Sequence, residues 1–407
     1  MPPEFTMEDF NRDRIKDFMQ WIINLDTAQN NNSSTDDLKN LVAGTNYQFN
    51  FPYTSEGDYK WDYHPNRTNL LNYTVYSVHS FADGTDYFLI KLNSTTNPTN
   101  QYADVTNYAI CGDGYQSNHI SGYTRQLYFS HSAPGVSHND DVTLIQSSPE
   151  TLNTSRTHSE GFSFNFSGSI GFNGKNATGN FTSGVSYSTT DTTTIYDYTV
   201  DNISLQDSLS NARWYYNFAW PNDGDDHISF TEDYKGVNAT TASRTTHTAH
   251  LDWIYAVKPA YWETHDKLIV SAMYSFADGE TNGKHYWVFW YHHSRDDYQC
   301  SWVNNGYHLT LDKPPHIAID KDSNVNFTKA AGQGNFTLLS DKSWTINADQ
   351  DWITSFNYTS GEGTGDSPIS ILYDVAENTT GQIRNANIII TASDGEKCTV
   401  KISQSGN

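Results

Sequence analysis

Cysteine, basic residues and long apolar runs are all scarce in this 407-residue chain, and each scarcity closes off a class of protein. The three cysteines, Cys111, Cys300 and Cys398, are scattered and odd in number. They form neither a disulfide framework nor a CxxC zinc pattern, and they read as small buried hydrophobes with at most one pair able to bridge. Lys and Arg total 24 against 47 Asp and Glu, a formal net charge of −23. The basic face that nucleic acid demands is therefore absent, and DNA or RNA is excluded as a partner. No run of about 18 apolar residues occurs, so no transmembrane helix is expected. Long Ala/Leu/Glu/Lys stretches are missing as well, which excludes a coiled coil. Neither a Gly-rich phosphate loop nor a Gly-x-Ser-x-Gly elbow is found, so no enzyme and no cofactor are expected.

Metal-ligand patterns are equally thin. His292-His293, and His247 with His250, lack carboxylates or cysteines at ligand spacing. Asp320 to Asn324 opens like a calcium loop, but Val325 stands where the loop needs Gly and Ala331 where it needs Glu. No metal is expected.

What the chain has in quantity is aromatic side chains, with 27 Tyr, 20 Phe and 11 Trp, on an Asn/Ser/Thr/Gly background. That balance favours many short strands and turns, and its aromatic content rules out wholesale disorder. At this length two or three domains are expected. One amphipathic helix is predicted over Glu8–Leu25, followed by a polar linker to about residue 40. From 41 to 312 the pattern is strand after strand: Leu71–Val78, Tyr87–Leu92, Thr124–Phe129, Trp214–Trp220, Lys267–Phe276 and His285–His292. Asp83-Gly84, Asp113-Gly114, Asn222-Asp223-Gly224 and Asn305-Gly306 supply turn signals. Ser80–Gly84 and Ser275–Gly279 share the pentapeptide Ser-Phe-Ala-Asp-Gly, expected each time at a strand-to-turn junction. Residues 313–324, with Pro314-Pro315, read as a linker, and 325–407 as a separate small β-domain.

One segment stands apart. Gly161–Gly174 and Asn176–Thr190 contain no charged residue, and only Lys175 lies between them. On the first arm Phe162, Phe164, Phe166, Ile170 and Phe172 alternate with Ser163, Asn165, Ser167, Ser169 and Gly171. On the return arm Phe181, Val185 and Tyr187 alternate with Thr182, Gly184, Ser186 and Ser188. A transmembrane β-strand needs about 9–11 residues with one lipid-facing apolar row and one polar lumen row, and both arms qualify. A single hairpin cannot satisfy its edge amides in hydrocarbon, so this reading carries oligomerisation into a closed barrel with it. The alternative is an ordinary amphipathic hairpin with Phe inward, although its outward row lacks the charges that usually protect an exposed edge. Sequons at Asn66, Asn72, Asn93, Asn165, Asn176 and Asn180 read as chance in an Asn/Thr-rich bacterial chain, since a glycan on Asn165 or Asn180 would obstruct a lumen.

This hairpin, the Trp-bearing strand Asn211–Trp220 and the string Arg295-Asp296-Asp297-Tyr298-Gln299-Cys300-Ser301-Trp302 together resemble the leukocidin/hemolysin family of small β-barrel pore-forming toxins. The resemblance spans about residues 40–312, with the stem at about 160–191. The family's amino latch is not recognisable, and the aromatics around Trp287 and Trp290 are unusually dense. Residues 325–407 resemble the BACON domain of Bacteroidetes surface proteins. Phe327, Ala330-Ala331-Gly332, Ser343-Trp344, Asp351-Trp352-Ile353, Ser360-Gly361-Glu362-Gly363, Asn378, Arg384 and Val400–Gln404 carry that likeness.

The two resemblances imply an all-β chain: a leukocidin-like β-sandwich with a folded amphipathic stem hairpin, then an immunoglobulin-like β-sandwich. They imply a secreted or cell-surface protein whose leader is not part of this sequence, monomeric in solution and a homo-oligomer in the pore state. Its implied partners are target-cell membrane lipids and surface glycans or mucin. Membrane-inserting candidates are Phe162, Phe164, Phe166, Ile170, Phe172, Phe181, Val185 and Tyr187. Trp214, Tyr215, Tyr216, Trp220, Tyr261 and Trp262 are candidates for a rim among lipid head groups, or else sandwich core. Trp344 and Trp352 are candidates for glycan stacking, or else core. A non-lytic glycan-binding surface protein that kept the toxin fold is the alternative function.

Overall fold

The computed structural model describes residues 45–53, 67–81, 83–97, 101–103, 119–133, 141–151, 157–165, 169–174, 177–178, 182–183, 186–194, 198–205, 209–218, 246–288, 290–299, 302–319, 325–365 and 367–406. The helix expected at Glu8–Leu25 lies outside them.

Among the described residues the regular elements are strands, apart from a 3₁₀ turn at Pro259–Glu263. In chain order they begin β1 (Thr45–Tyr53), β2 (Arg67–Ser80), β3 (Asp86–Thr96), β4 (Gln101–Ala103), β5 (His119–Ser132) and β6 (Val142–Ser148). The stem region supplies β7 (Thr157–Asn165), β8 (Ser169–Gly174), β9 (Ala177–Thr178), β10 (Thr182–Ser183) and β11 (Ser186–Thr194). The body continues with β12 (Tyr198–Asn202), β13 (Asn211–Phe218), β14 (His247–Val257), β15 (Lys267–Val288), β16 (Trp290–Gln299) and β17 (Val303–Asp312). The tail holds β18 (Ile317–Ile319), β19 (Val325–Phe327), β20 (Gly332–Ser340), β21 (Trp344–Ala348), β22 (Ile353–Thr354), β23 (Ser360–Gly361), β24 (Ile369–Val375), β25 (Arg384–Ala392) and β26 (Lys397–Gln404).

Two sheets build the body. One runs β10-β8-β2-β3-β14-β6, with β1 also on β2 and β9 on β8; the other runs β12-β13-β5-β15-β16, with β17 on β15 and β4 on β5. Alternation along the strands sends one row inward, as β13 shows with Ala212, Trp214, Tyr216 and Phe218 all buried. Those rows meet Tyr73, Leu92, Trp253, Tyr255, Val270, Tyr274 and Leu309 in one aromatic-rich core. Burying so many rings removes a large apolar area from water, and their hydroxyls need partners there. Tyr73 meets them in His131 (2.8 Å) and in the Tyr307 hydroxyl. Burial lowers the His131 pKa to about 3, so this imidazole is neutral and able to accept.

The tail is a second sandwich, with sheets β18-β20-β24-β22 and β19-β26-β25-β21-β23 around Ile317, Phe336, Trp344, Ile371, Tyr373, Ile388 and Val400. Its β19–β26 pair is parallel. The segment expected as a linker over 313–324 therefore contains β18, a working strand of the tail paired to Leu338–Ser340.

Two turn expectations and one strand expectation are corrected. Asn305-Gly306 lies inside β17, and Ser275–Gly279 lies inside the 22-residue β15. At the latter the ladder to β5 shifts register between Ala277 and Asp278, so the pentapeptide there marks a bulge rather than a turn. Residues 285–292, expected as one strand, straddle the β15–β16 hairpin, where Val288 pairs Trp290.

Candidate functional site: a hairpin docked on a sheet edge

The site starts from the turn between β2 and β3. Gly84 takes φ +70°, a backbone shape costly for any residue with a Cβ, and a Cβ there would lie 3.0 Å from Pro259 Cγ. Gly84 N donates to Ser80 O (2.8 Å), Ser80 N to Thr85 O (2.9 Å), and Thr85 N to Asp83 Oδ1 (3.0 Å). This tight turn fixes the register of the following ladder, and His79 falls opposite Asp86.

The other edge of β2 is divided between two strands. Arg67–Val75 pair with β1, while Ser77–Ser80 pair with Asn173–Ile170 of β8. The Phe/Ser hairpin is thus held on the body's sheet by its distal half. Its proximal half forms a separate two-stranded ribbon, β7 with β11, from Thr157↔Thr194 to Asn165↔Ser186. In that ribbon Phe164 stands opposite Tyr187 and Phe162 opposite Thr189. Nearer the tip, Asn173↔Thr178 and Gly174↔Ala177 keep that register, but Ile170↔Thr182 and Ser169↔Ser183 are displaced from it by one residue. Phe166, Phe181 and Val185 lie outside the described residues; Phe172 is opposite Val78.

The aromatic candidates separate by burial. Trp214 and Tyr216 are core, and Trp214 Nε1 donates to Pro149 O at 3.0 Å. Tyr261 is also buried, with its hydroxyl on Lys267 O at 3.2 Å, and Trp262 packs against the same core. Fully packed rings have no face left for a lipid head group, so Trp214, Tyr216 and Tyr261 take the sandwich-core alternative to a rim. Tyr215 keeps an outward position, stacked on Tyr128 with centroids 4.4 Å apart and edge-on to Trp302 at 6.2 Å. Trp220 lies outside the described residues.

In the tail, the residues that carried the resemblance form its frame. Trp344 is buried against Gly361, where a Cβ would meet the ring at 2.5 Å, and its Nε1 donates to Glu362 O at 2.9 Å. Arg384 lies over the buried Trp352 ring (4.2 Å) and donates to Gln404 Oε1 (2.8 Å) and Ala376 O (2.6 Å). Asn378, fully buried, donates to Gln382 O at 2.7 Å and accepts from Thr380 N at 3.1 Å. Of the two readings open for Trp344 and Trp352, glycan stacking or core, their burial selects core. The exposed ring of the tail is Tyr358, which composition alone did not single out.

A cluster that sequence reasoning missed joins tail to body beside the docked hairpin. His79 and Asp86 come from β2 and β3, His316 precedes β18, and Asp341 follows β20. His79 Nδ1 lies 2.6 Å from Asp86 Oδ1, and its Nε2 lies 2.9 Å from Asp341 Oδ2. His316 Nε2 lies 3.0 Å from Asp86 Oδ2, and its Nδ1 3.5 Å from Asp341 Oδ2. The two imidazoles stack at 3.9 Å with planes 25° apart. Burial pushes the His79 imidazolium down, but the hydrogen bonds and charges of Asp341 and Asp86 outweigh it and raise its pKa to about 9. For His316 burial prevails over Asp86, aided by the charges of His79 and Lys313, and its pKa is lowered. His79, His316 and Asp341 each bring a ligand-type atom close to the others. An ion bound to both rings would have to lie in both ring planes, about 2 Å from each nitrogen. Rings stacked in this way leave no such point, so the cluster is an ion-pair group. The signal available in sequence was the tight Asp-Gly turn, which makes His79 and Asp86 cross-strand partners. Nothing in sequence brings His316 and Asp341 to them.

His247 and His250, weighed for metal, each have other partners. His247 is enclosed by the Tyr198, Tyr216 and Phe218 rings, while His250 Nδ1 pairs with Asn93 Oδ1 at 2.6 Å. No helix of the described residues is long and apolar enough to cross a membrane, which says nothing of strands.

Comparison with known proteins gives the following. Residues 342–405 match the BACON family, described as "Putative binding domain, N-terminal". No curated protein matches. Among solved structures, Clostridium perfringens delta-toxin is similar with TM-score 0.41 and 13% identity, covering 66% of this chain and 89% of that one. The Clostridium perfringens NetB toxin in the membrane-inserted form has TM-score 0.35 and 9% identity, covering 66% and 97%. A Bacteroides ovatus GH5 xyloglucanase in complex with a XXXG heptasaccharide covers 22% of this chain and 18% of its own, with TM-score 0.20 and 20% identity. At these scores the structural likenesses carry no functional weight by themselves. The chain is an all-β protein whose tail matches the BACON family and whose structural neighbours include pore-forming toxins.

Proposed function

We propose that the protein is a β-barrel pore-forming toxin that assembles on a target membrane and inserts the hairpin of about residues 160–191, with the C-terminal domain directing it to glycan-bearing surfaces. The observation that carries this reading is the hairpin itself. Its arms carry no charge over 161–174 and 176–190, alternate strictly on the first and more weakly on the second, and pair so that Phe164 stands opposite Tyr187. An exposed edge of a soluble protein is usually guarded by charges that residues 161–174 and 176–190 lack, whereas a bilayer requires their absence. Docking of β8 on β2 supports the soluble, stowed form of such a stem.

In the inserted state about four Phe and Ile170 per protomer would enter lipid, a gain on the order of 10 kcal/mol that offsets the lost docking pairs. Closure into a ring satisfies the edge amides that one hairpin leaves open. Tyr215, with Tyr128 and Trp302, is the aromatic group best placed to meet head groups. Tyr358 is the tail ring available for stacking on sugar.

The test is dye release from liposomes with and without a mucin-type glycolipid, followed by unheated SDS gels. Leakage with a detergent-resistant ladder is the expected result. Sealed liposomes across lipid compositions, with glycan binding intact, would replace this reading with a non-lytic glycan-binding surface protein.

A further inference from the structure

We infer that the His79–Asp86–His316–Asp341 cluster is a clasp through which the seating of the C-terminal domain controls release of the stem hairpin. This inference rests on the pore-forming reading for its purpose and on the structure for its mechanics. His79 occupies a shared position. It faces Asp86 on the β3 side of β2, while its backbone stands opposite Gly171 of the hairpin on the other side. Its second nitrogen lies 2.9 Å from Asp341 Oδ2 of the tail. One residue thus borders the body, the stem and the tail.

Each unit supplies one histidine and one aspartate, so neither unit satisfies the cluster alone. Asp86 is fully buried and pairs with a histidine from each unit. Glu396 of the tail caps His316, accepting from its backbone N–H at 3.0 Å. Lys313 and Asp394 complete the charges that act on this group. Beside it Phe81, at the β2–β3 turn, packs with Ala318 and Leu339 of the tail and stands edge-on to His79 at 4.5 Å. A buried charge that loses its partner is strongly destabilising, so lifting the tail off this surface removes what stiffens residues 77–86. Residues 77–80 are the stretch of β2 that holds β8. A force or ligand that displaces the tail, such as attachment to a surface glycan polymer, therefore loosens the hairpin where it is held.

The experiment is backbone hydrogen exchange on the full chain, comparing wild type with His316→Gln and Asp341→Asn. Both changes lie in the tail and leave β2 and β3 untouched. Exchange at residues 170–173 is expected to rise by about tenfold or more, while core amides of β14 stay protected. Unchanged exchange at 170–173 in both variants overturns the clasp, as does an equal rise across β14, which would mean general destabilisation. Faster exchange on adding EDTA to wild type would also overturn it, by revealing a metal site. Liposome leakage, measured on the same samples, separates the two readings. Faster hairpin exchange with sealed liposomes upholds the clasp and removes the pore; faster exchange with faster leakage upholds both.

Discussion

His79 and His316 lie within van der Waals distance of each other, yet their protonation is driven in opposite directions. His79 has a raised pKa. Its contribution to the docked state is therefore full below 6.5 and is lost as pH rises through about 9. Asp341 of the tail and Asp86 of the body share in that shift, so only the Asp341 part is lost when the tail lifts. His316 has a lowered pKa, so its contribution is present above 6.5 and is lost as pH falls below that value. Hydrogen exchange at 170–173, corrected for intrinsic rates, should be slowest near neutral pH and rise towards both about pH 9.5 and about pH 5. A flat profile would mean that the two imidazoles do not set the docking. A second residue-scale expectation concerns Gly361. Because a Cβ at that position would meet the Trp344 ring at 2.5 Å, Gly361→Ala should cost the tail about 1–3 kcal/mol in denaturant unfolding. At this scale the sequence was partly legible: the glycines and tryptophans of the tail motif were visible, but not that they pack on each other. Residues kept for packing and residues kept for binding look alike until burial is known. The same ambiguity left Trp214 and Tyr216 between a rim and the core until their burial was known.

At the level of the element, the hairpin was legible because period-two alternation without charge is a local property of the chain. Its docking was not, because pairing of β8 with β2 joins residues far apart in sequence and leaves no local mark. The same holds for β15, where Ser275–Gly279 carries a turn signal but the ladders to β5 and β17 on either side hold it extended. Tertiary pairing outweighed local propensity there. Two predictions belong to this scale. Phe164→Asp with Phe166→Asp should abolish dye release while leaving tail-mediated glycan binding and the melting temperature of the body unchanged. Ser77→Cys with Asn173→Cys, which are register partners, should lock β8 to β2. Leakage should then be lost under oxidising conditions and return with reductant; leakage undiminished in the oxidised form would show that the hairpin need not undock.

For the whole molecule, a pore built from single hairpins makes assembly part of the chemistry. Because one hairpin leaves its edges unsatisfied, initial leakage rate should rise more steeply than linearly with protein concentration. A linear dose response would point to lysis by single molecules. The two-unit plan was legible from the break at Pro314-Pro315, but its boundary falls earlier than composition suggests, since β18 already belongs to the tail. The interface between the units had no sequence signature, as it draws on turns at both ends of the chain.

The β7–β11 ribbon is already paired along its length while the distal half is still held on the body. Leaving the body then asks for rupture of the short Ser77–Ser80 ladder and for no melting of the ribbon. Global unfolding speeds up roughly three- to sixfold per 10 °C, because much of the fold must come apart in its transition state. Detachment of a ready-made ribbon has no such requirement. Warming should therefore accelerate stem release far less than it accelerates denaturation, and the protein should retain most of its rate in the cold.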